Sequence, residues 1–151
     1  MRGERFGENV VRKRDCPYVL RPYERPFWAL DPEEAASRVD VARFVDTILA
    51  GAARDRGTEI RLEPSEAGLT IWGRFEGELY EMVPPPASLA RSVMQRIKEL
   101  GGLDPHECPR EREGSVAIRS EHGDFRLRVI TSPTNRGERI IVEILPMAEA
   151  E

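Results

Sequence analysis

The sequence predicts an α+β fold, a two-layer sandwich of about six mostly antiparallel strands with two main helices on one face. Three observations lead to this prediction. Two segments carry apolar residues at helical spacing, six short segments are strand-like, and most strand segments are joined by connections of hairpin length. A sheet that is apolar on one side needs a covering layer, and the two helices can supply it.

Stripes of apolar side chains mark the two helices. In the first, apolar residues at 41–52 recur at spacings of three and four, and in the second the stripe covers 89–100. Residues 31–34 (D-P-E-E) also resemble a helix start, which leaves a break or a join near 37–40 open. Both helices are expected to end at glycine, namely at Gly57 and at Gly101-Gly102.

The strand segments alternate apolar and polar residues or are rich in β-branched residues. They are residues 58–63, 69–75, 78–83, 116–119, 125–131 and 139–145. Glu76-Gly77 predicts a hairpin turn between the second and third strands. Pro64 is expected to end the first strand and Pro146 the last, since proline cannot donate to a sheet.

The chain divides into residues 1–38, 39–145 and 146–151. Prolines spaced by four to six residues, interleaved with aromatic residues, predict that the first part is an extended arm, partly helical at its end. This arm either packs on its own domain or binds another protein. Its first 25 residues carry a net charge of +3, which leaves −7 on the remainder. The last six residues form an acidic tail, which we interpret as a natural end of the chain.

Composition and missing motifs exclude several classes of function. The net charge of −4 disfavours a nucleic-acid binder, and no apolar run is long enough to insert into a membrane. No Walker-type phosphate loop, G-x-G-x-x-G or G-x-S-x-G motif occurs, and His106 and His122 both lie in predicted loops. We therefore expect no enzymatic activity from this chain alone and no bound cofactor.

The two cysteines are too few and too isolated for a disulfide scaffold. Cys16 and Cys108 form no C-x-x-C pair, which suits a reducing cytoplasm. Residues 106–108 (H-E-C) hold three potential metal ligands, but adjacent ligands fit a tetrahedral site poorly. We therefore expect no metal site.

Several arginines are candidates for a binding role. Arg126 and Arg128 share one face of their strand, because side chains alternate. They either form a phosphate-binding stripe or pair with nearby carboxylates across the sheet. Arg74 and Arg96 are either functional or surface arginines whose stems cover apolar side chains.

The order of motifs resembles the domain that precedes the motor core in type II secretion and type IV pilus assembly ATPases. Residues 57–64 (G-T-E-I-R-L-E-P) resemble that family's A-S-D-I-H-I-E-P, and residues 69–79 resemble its R-x-R-I-D-G-x-L hairpin. Residues 96–104 resemble S-R-I-K-x-x-A-G-L-D, residues 128–134 resemble R-V-S-T-L-P-T, and residues 137–142 resemble G-E-K-V-V-L. The resemblance covers residues 39–145 and none of the arm.

This resemblance implies a PAS-like domain of a hexameric ATPase, whose arginines lean over the nucleotide that the core binds. Arg74, Arg96 and Arg128 are retained, and Arg110 and Arg112 are further candidates for an interface or a phosphate contact. Other arginines of the family pattern are replaced. The paired arginines become Cys108 and Pro109, and two further positions become Ser115 and Glu143.

Two principal functions follow from the resemblance. The first is a cytoplasmic, non-catalytic accessory domain that contacts an ATPase core or an assembly-platform protein of a secretion or pilus system. The second is a fragment of a full secretion ATPase whose parent hydrolyses ATP to power protein export or pilus assembly. ATP and Mg²⁺ would bind only where a motor core is supplied. A PAS-like ligand sensor is a weaker third interpretation, and self-association into a homo-oligomer stays open.

Overall fold

The computed structural model describes residues 18–22, 40–66, 68–106 and 110–147. Most of the predicted arm, both cysteines and residues 148–151 lie outside these ranges, as does the helix start predicted at 31–34. Two helices and seven strands are present in the described part. The helices are α1 (Val41–Arg54) and α2 (Ala90–Leu100), the second preceded by a 3₁₀ turn (Ala87–Leu89). The strands are β1 (Tyr18–Val19), β2 (Glu59–Ser65), β3 (Gly68–Phe75), β4 (Glu78–Met82), β5 (Arg112–Ser120), β6 (Gly123–Thr134) and β7 (Gly137–Pro146).

The strands form one sheet in the order β1-β5-β6-β7-β2-β3-β4. All neighbours are antiparallel except β1, which runs parallel to β5. The prediction of an α+β fold with a mostly antiparallel sheet is confirmed, and each predicted strand is present. The seventh strand lies in the arm, where Tyr18 pairs with Ile118 and Val19 with Arg119.

Both helices pack on the same face of the sheet. Alternate residues of β2, β3, β6 and β7 point to the helices, and their apolar side chains form one core with those of the helices. The largest fully buried members are Phe44, Val45, Ile60, Leu62, Leu69, Ile71, Val93, Ile118, Leu127, Val129 and Ile140. The opposite face of the sheet has no covering element within the described residues.

The helix ends follow local chemistry. The side chain of Asp40 accepts a hydrogen bond from the Arg43 amide at 3.2 Å and caps α1. Gly102, with φ of 79°, ends α2 as predicted, and the amide of Leu103 donates to the Lys98 carbonyl at 2.8 Å. This is the hydrogen-bond pattern of a Schellman motif.

The prediction that Pro64 ends the first strand is wrong, because Pro64 lies inside β2. Beyond Leu62, β2 pairs only with β3, since the ladder with β7 stops at the Leu62–Ile140 pair. The missing amide of Pro64 therefore removes no hydrogen bond from the β7 side.

Candidate protein-interaction surface

The registers align six residues in one row across the open face of the sheet. From β5 to β4 this cross-strand row consists of Ser115, Arg128, Glu143, Glu59, Arg74 and Leu79. Because side chains alternate along a strand, all six lie on the side opposite to the helices. The row thus brings together Arg74 and Arg128, two of the arginines singled out in the sequence.

Arg128 is enclosed by two carboxylates. Its Nε donates to Glu113 Oε2 at 2.7 Å and its Nη1 to Glu143 Oε1 at 3.2 Å. The hydrogen bond and charge of Glu113, with the charge of Glu143, raise the pKa of the Arg128 guanidinium further above its ordinary value. Of the two alternatives that the sequence left open for Arg128, the structure therefore shows pairing with carboxylates across the sheet and not an unpaired phosphate-binding stripe.

Arg74 forms an ion pair with Glu59 on the neighbouring strand β2. Its Nε lies 3.3 Å from Glu59 Oε1, and its Nη1 donates to the Gly77 carbonyl at 2.9 Å. Glu59 also accepts from Arg61. Burial by itself raises the pKa of Glu59, but the two guanidiniums outweigh that effect and hold this pKa below its ordinary value. Glu59 is therefore a shared counter-ion.

A second row beside the first supplies apolar surface. From β5 to β4 it consists of Glu113, Ile130, Ile141, Arg61, Trp72 and Glu81. Ile130, Ile141 and Trp72 are half-buried, and the charged Arg61 lies between Ile141 and Trp72. Interfaces between proteins commonly combine an aromatic or aliphatic centre with a polar rim. The open face offers both kinds of group, although its charged residues lie among the apolar ones as well as around them.

Arg96 lies on the other side of the sheet and does not join the row. Its Nη2 donates to the Tyr18 hydroxyl at 2.8 Å, and its guanidinium carbon lies 5.4 Å from the centre of the Tyr18 ring. The same hydroxyl donates to Asp46 at 3.0 Å, and the Arg21 amide donates to Asp46 at 3.0 Å. We call Tyr18, Asp46 and Arg96 the arm latch, since they hold residues 18–22 against the helices.

Desolvation governs the charge state of the arm latch. Asp46 is 2% exposed, and its burial raises the pKa of its carboxyl although Arg21, Tyr18 and Arg96 all favour the charged form. Burial also raises the pKa of the Tyr18 hydroxyl, with a smaller contribution from Asp46. Arg96 is thus bound to the arm of its own chain.

The two remaining candidate arginines are also off the row. Arg112 is on the helix side with 7% of its side chain exposed, and it donates to the Asp104 carbonyl at 3.1 Å. It lies 3.9 Å from Glu138, which accepts a 2.6 Å hydrogen bond from buried Lys98. Arg110 is exposed just before β5, and its carbonyl accepts a hydrogen bond from Thr131.

Sequence reasoning did not identify Glu59, Glu113, Tyr18 or Asp46 as partners of the arginines. The alternation of charge in residues 59–61 was a usable signal for a polar sheet face. No local signal links Tyr18 to Asp46, because 28 residues separate them.

Three other features could carry a function in the described part of the chain, namely a ligand cleft, a metal site or a membrane-spanning helix. A cleft of about 450 Å³ opens between the start of α2 and the β6–β7 turn, with Arg91, His106 and Arg136 among its lining residues. Within the described ranges no group of three metal-ligating side chains occurs. No helix in those same ranges is long and apolar enough to cross a bilayer.

Comparison with known proteins identifies relatives of the chain. The family described as type II/IV secretion system protein matches residues 34–151. The type II secretion system protein HxcR of Pseudomonas aeruginosa is 33% identical over 116 residues, which are 77% of this chain and 24% of that protein. The type IV pilus assembly ATPase PilB of the same organism is 32% identical over 123 residues, which are 79% of this chain and 22% of that protein.

A second type II relative and one solved structure give similar coverage. Type II secretion system protein E of Xanthomonas campestris pv. campestris is 33% identical over 112 residues, 74% of this chain and 20% of that protein. The structure of the ATPase DotB from Yersinia pseudotuberculosis aligns with a TM-score of 0.46 and 17% identity, over 75% of this chain and 32% of that one. The chain spans about a fifth to a quarter of the length of the curated relatives it matches.

Proposed function

The chain belongs to the type II/IV secretion system protein family, and on this premise we propose that it is a non-catalytic domain that acts by protein–protein contact in a secretion or pilus system. The partner is an ATPase core or the cytoplasmic part of an assembly-platform protein. The open face of the sheet is the contact surface. The observation that carries this proposal is that both arginines of the cross-strand row form ion pairs, Arg74 with Glu59 and Arg128 with Glu113 and Glu143. A domain that contacts phosphate through these arginines would instead present them unpaired.

Two replacements along this row support a role without phosphate contact. Ser115 and Glu143, which stand where the family pattern has arginine, are the direct cross-strand neighbours of Arg128. One replacement removes a cation and the other adds a carboxylate 3.2 Å from the Arg128 guanidinium. An anion approaching Arg128 would have to displace Glu113 and Glu143, which disfavours phosphate binding there.

The same row suits contact with a protein. Its ion pairs can exchange partners with charged groups on another surface, and Trp72, Ile130 and Ile141 offer apolar area beside them. Such exchange gives specificity through charge complementarity more than through buried area.

Charge reversal tests the surface. Arg74→Glu and Arg128→Glu should each weaken binding to the isolated core or platform protein of the same system, measured by biolayer interferometry. Arg91→Glu is the matched control, because Arg91 is an exposed arginine on α2, in the other layer. Unchanged binding by both row variants, with both folded by circular dichroism, would refute the proposed surface.

Catalysis and nucleotide binding are tested separately. The purified chain should show no Mg²⁺-dependent ATP hydrolysis above background. It should bind ATP no more tightly than about 1 mM, since isolated arginines such as Arg74, Arg96 and Arg128 offer no nest of backbone amides to hold phosphate by themselves. Mg²⁺-dependent turnover that survives rigorous repurification would overturn the non-catalytic assignment. Micromolar affinity in calorimetry would overturn the weak-binding prediction and point to Arg110 and Arg112.

The second candidate is that these residues are the pre-core part of a complete ATPase. The observation in its favour is the small share of each relative that the chain spans. The length of the natural reading frame decides between the two. If a core follows in the same chain, Arg74→Glu and Arg128→Glu should alter the turnover of the whole protein, and Arg91→Glu should not.

A further inference from the structure

The two edges of the sheet differ in what covers them. At the β5 edge, β1 pairs with β5, and the amide of Leu20 donates to the Arg119 carbonyl at 3.0 Å. At the other edge, no strand within the described residues pairs with the outer side of β4. Among the described residues, the arm therefore covers the β5 edge at Ile118 and Arg119, whereas no strand covers any part of the β4 edge.

The backbone of β4 is prepared to accept a strand. Glu76 and Gly77 have φ of 52° and 85°, which is the left-handed geometry of a two-residue type I′ turn. In such a hairpin the flanking residues, Phe75 and Glu78, form a hydrogen-bonded pair, and bonded and non-bonded pairs then alternate. Leu79 and Glu81 consequently direct their amide and carbonyl groups outward.

The side chains of β4 are acidic or apolar. Residues 78–82 contain no lysine or proline, which natural edge strands commonly use to prevent pairing. Leu79 is 37% exposed, Tyr80 51% and Val83 41%. Every charged residue from 76 to 83 is acidic. A strand that fits this edge should carry both apolar and basic side chains.

Residues 10–14 (V-V-R-K-R) have this chemistry. Two β-branched residues precede three basic ones, in the part of the arm that lies before the described residues. We propose that residues 10–14 of a second copy add to β4 as an edge strand, so that copies of this chain associate head to tail. This inference concerns self-association and is independent of the partner proposed above.

The distance across the sheet requires the segment to come from another copy. Tyr18 is held on β1, and β4 is six strand spacings away, about 29 Å. Arg14 can lie no more than about 14 Å from Tyr18, and Arg12 no more than about 22 Å, even in a fully extended chain. The basic residues therefore cannot reach the β4 edge of their own molecule.

A charge-swap experiment on the full chain tests the proposal. The arm variant carries Arg12→Glu, Lys13→Glu and Arg14→Glu, and the edge variant carries Glu78→Lys and Glu81→Lys. Sedimentation velocity should show concentration-dependent association of the parent, at least about tenfold weaker association of each variant alone, and recovery when the two variants are mixed. Recovery requires the two segments to face each other.

Glu99→Lys with Glu121→Lys makes the same charge change at exposed acidic residues away from β4, and it should associate like the parent. Hydrogen exchange of the parent gives a readout that needs no variant. The amides of Leu79 and Glu81 should gain protection as concentration rises. A parent that stays monomeric, a mixture that does not recover, or unchanged exchange at these two amides would overturn the proposal.

Discussion

Ion pairs on the two sides of the sheet differ in burial and in what they do. On the helix side, Lys98 and Glu138 form a 2.6 Å pair with 7% and 9% of their side chains exposed. On the open side, Arg128 and Glu143 form a 3.2 Å pair with 43% and 35% exposed. A buried charge that loses its partner is costly, whereas an exposed pair contributes little to stability. The helix side is therefore constrained by folding, and the open side can change charge without unfolding the domain.

Gly114→Ala should be the most damaging substitution on the helix side. A Cβ at Gly114 would lie 2.0 Å from the Gly101 carbonyl oxygen, so β5 and the end of α2 would have to separate. We expect a loss of about 3 kcal/mol or more in the free energy of unfolding, measured by urea denaturation.

Gly51→Ala is the matched control for Gly114→Ala. It makes the same change in α1 with nothing within 4 Å, so it should stabilise the protein by about 0.5 kcal/mol. A Gly114→Ala protein with the parent's urea midpoint would contradict the close approach of β5 and α2.

Glu138→Gln should have the next largest effect, because it leaves buried Lys98 beside a neutral group. The expected loss in the free energy of unfolding is about 3 kcal/mol. Glu143→Gln, the same change on the open side, should cost less than about 1 kcal/mol. Equal losses for the two Glu→Gln variants would remove the distinction between the two sides.

Asp46 should make stability depend on pH in one direction. Burial raises the pKa of its carboxyl above the ordinary 3.8. A raised pKa in the folded state favours the protonated form, so the contribution of Asp46 is complete below pH 3.8 and is lost as the pH rises through the folded pKa. Asp46→Asn should therefore gain in melting temperature relative to the parent as the pH is raised from 3.8 to 7.

Glu59, on the open side, should behave in the opposite way. Its lowered pKa gives stability that is present above the ordinary value of 4.5 and is lost as the pH falls through the folded pKa. The deficit of Glu59→Gln in melting temperature should therefore shrink below pH 4.5. The same sign for both variants would contradict the difference in environment.

Arg128→Gln should have the smallest effect on stability. Its guanidinium is well exposed, and water can replace Glu113 and Glu143 as its partners. The urea midpoint should match that of the parent in both low and high salt. Lys98→Gln is the corresponding change on the helix side and should lower the midpoint clearly. A similar loss for both would show that the row contributes to folding.

The local elements could be read from the sequence because their signals are local. Both helices, the six predicted strands, the Glu76-Gly77 turn and the stop at Gly101-Gly102 depend on periodicity and on the conformations that glycine allows. The predicted ends of the strands were less accurate where pairing with a neighbouring strand decides them. β5 begins at Arg112, earlier than the predicted residue 116, and β2 continues through Pro64 because its neighbour β7 has already left the ladder.

The sequence by itself determined the fold class, the covered face of the sheet and the family, since each follows from the order and spacing of residues along the chain. Only the tertiary structure decided which arginines act together. Register across the strands joined Arg128 to Glu143 and Arg74 to Glu59, which are each 15 residues apart. Packing of the second helix against the arm instead brought Arg96 within hydrogen-bond distance of Tyr18, which lies 78 residues away in the sequence. An ion pair depends on distances of a few ångströms between side chains, and those distances exist only after strands and helices have taken their places.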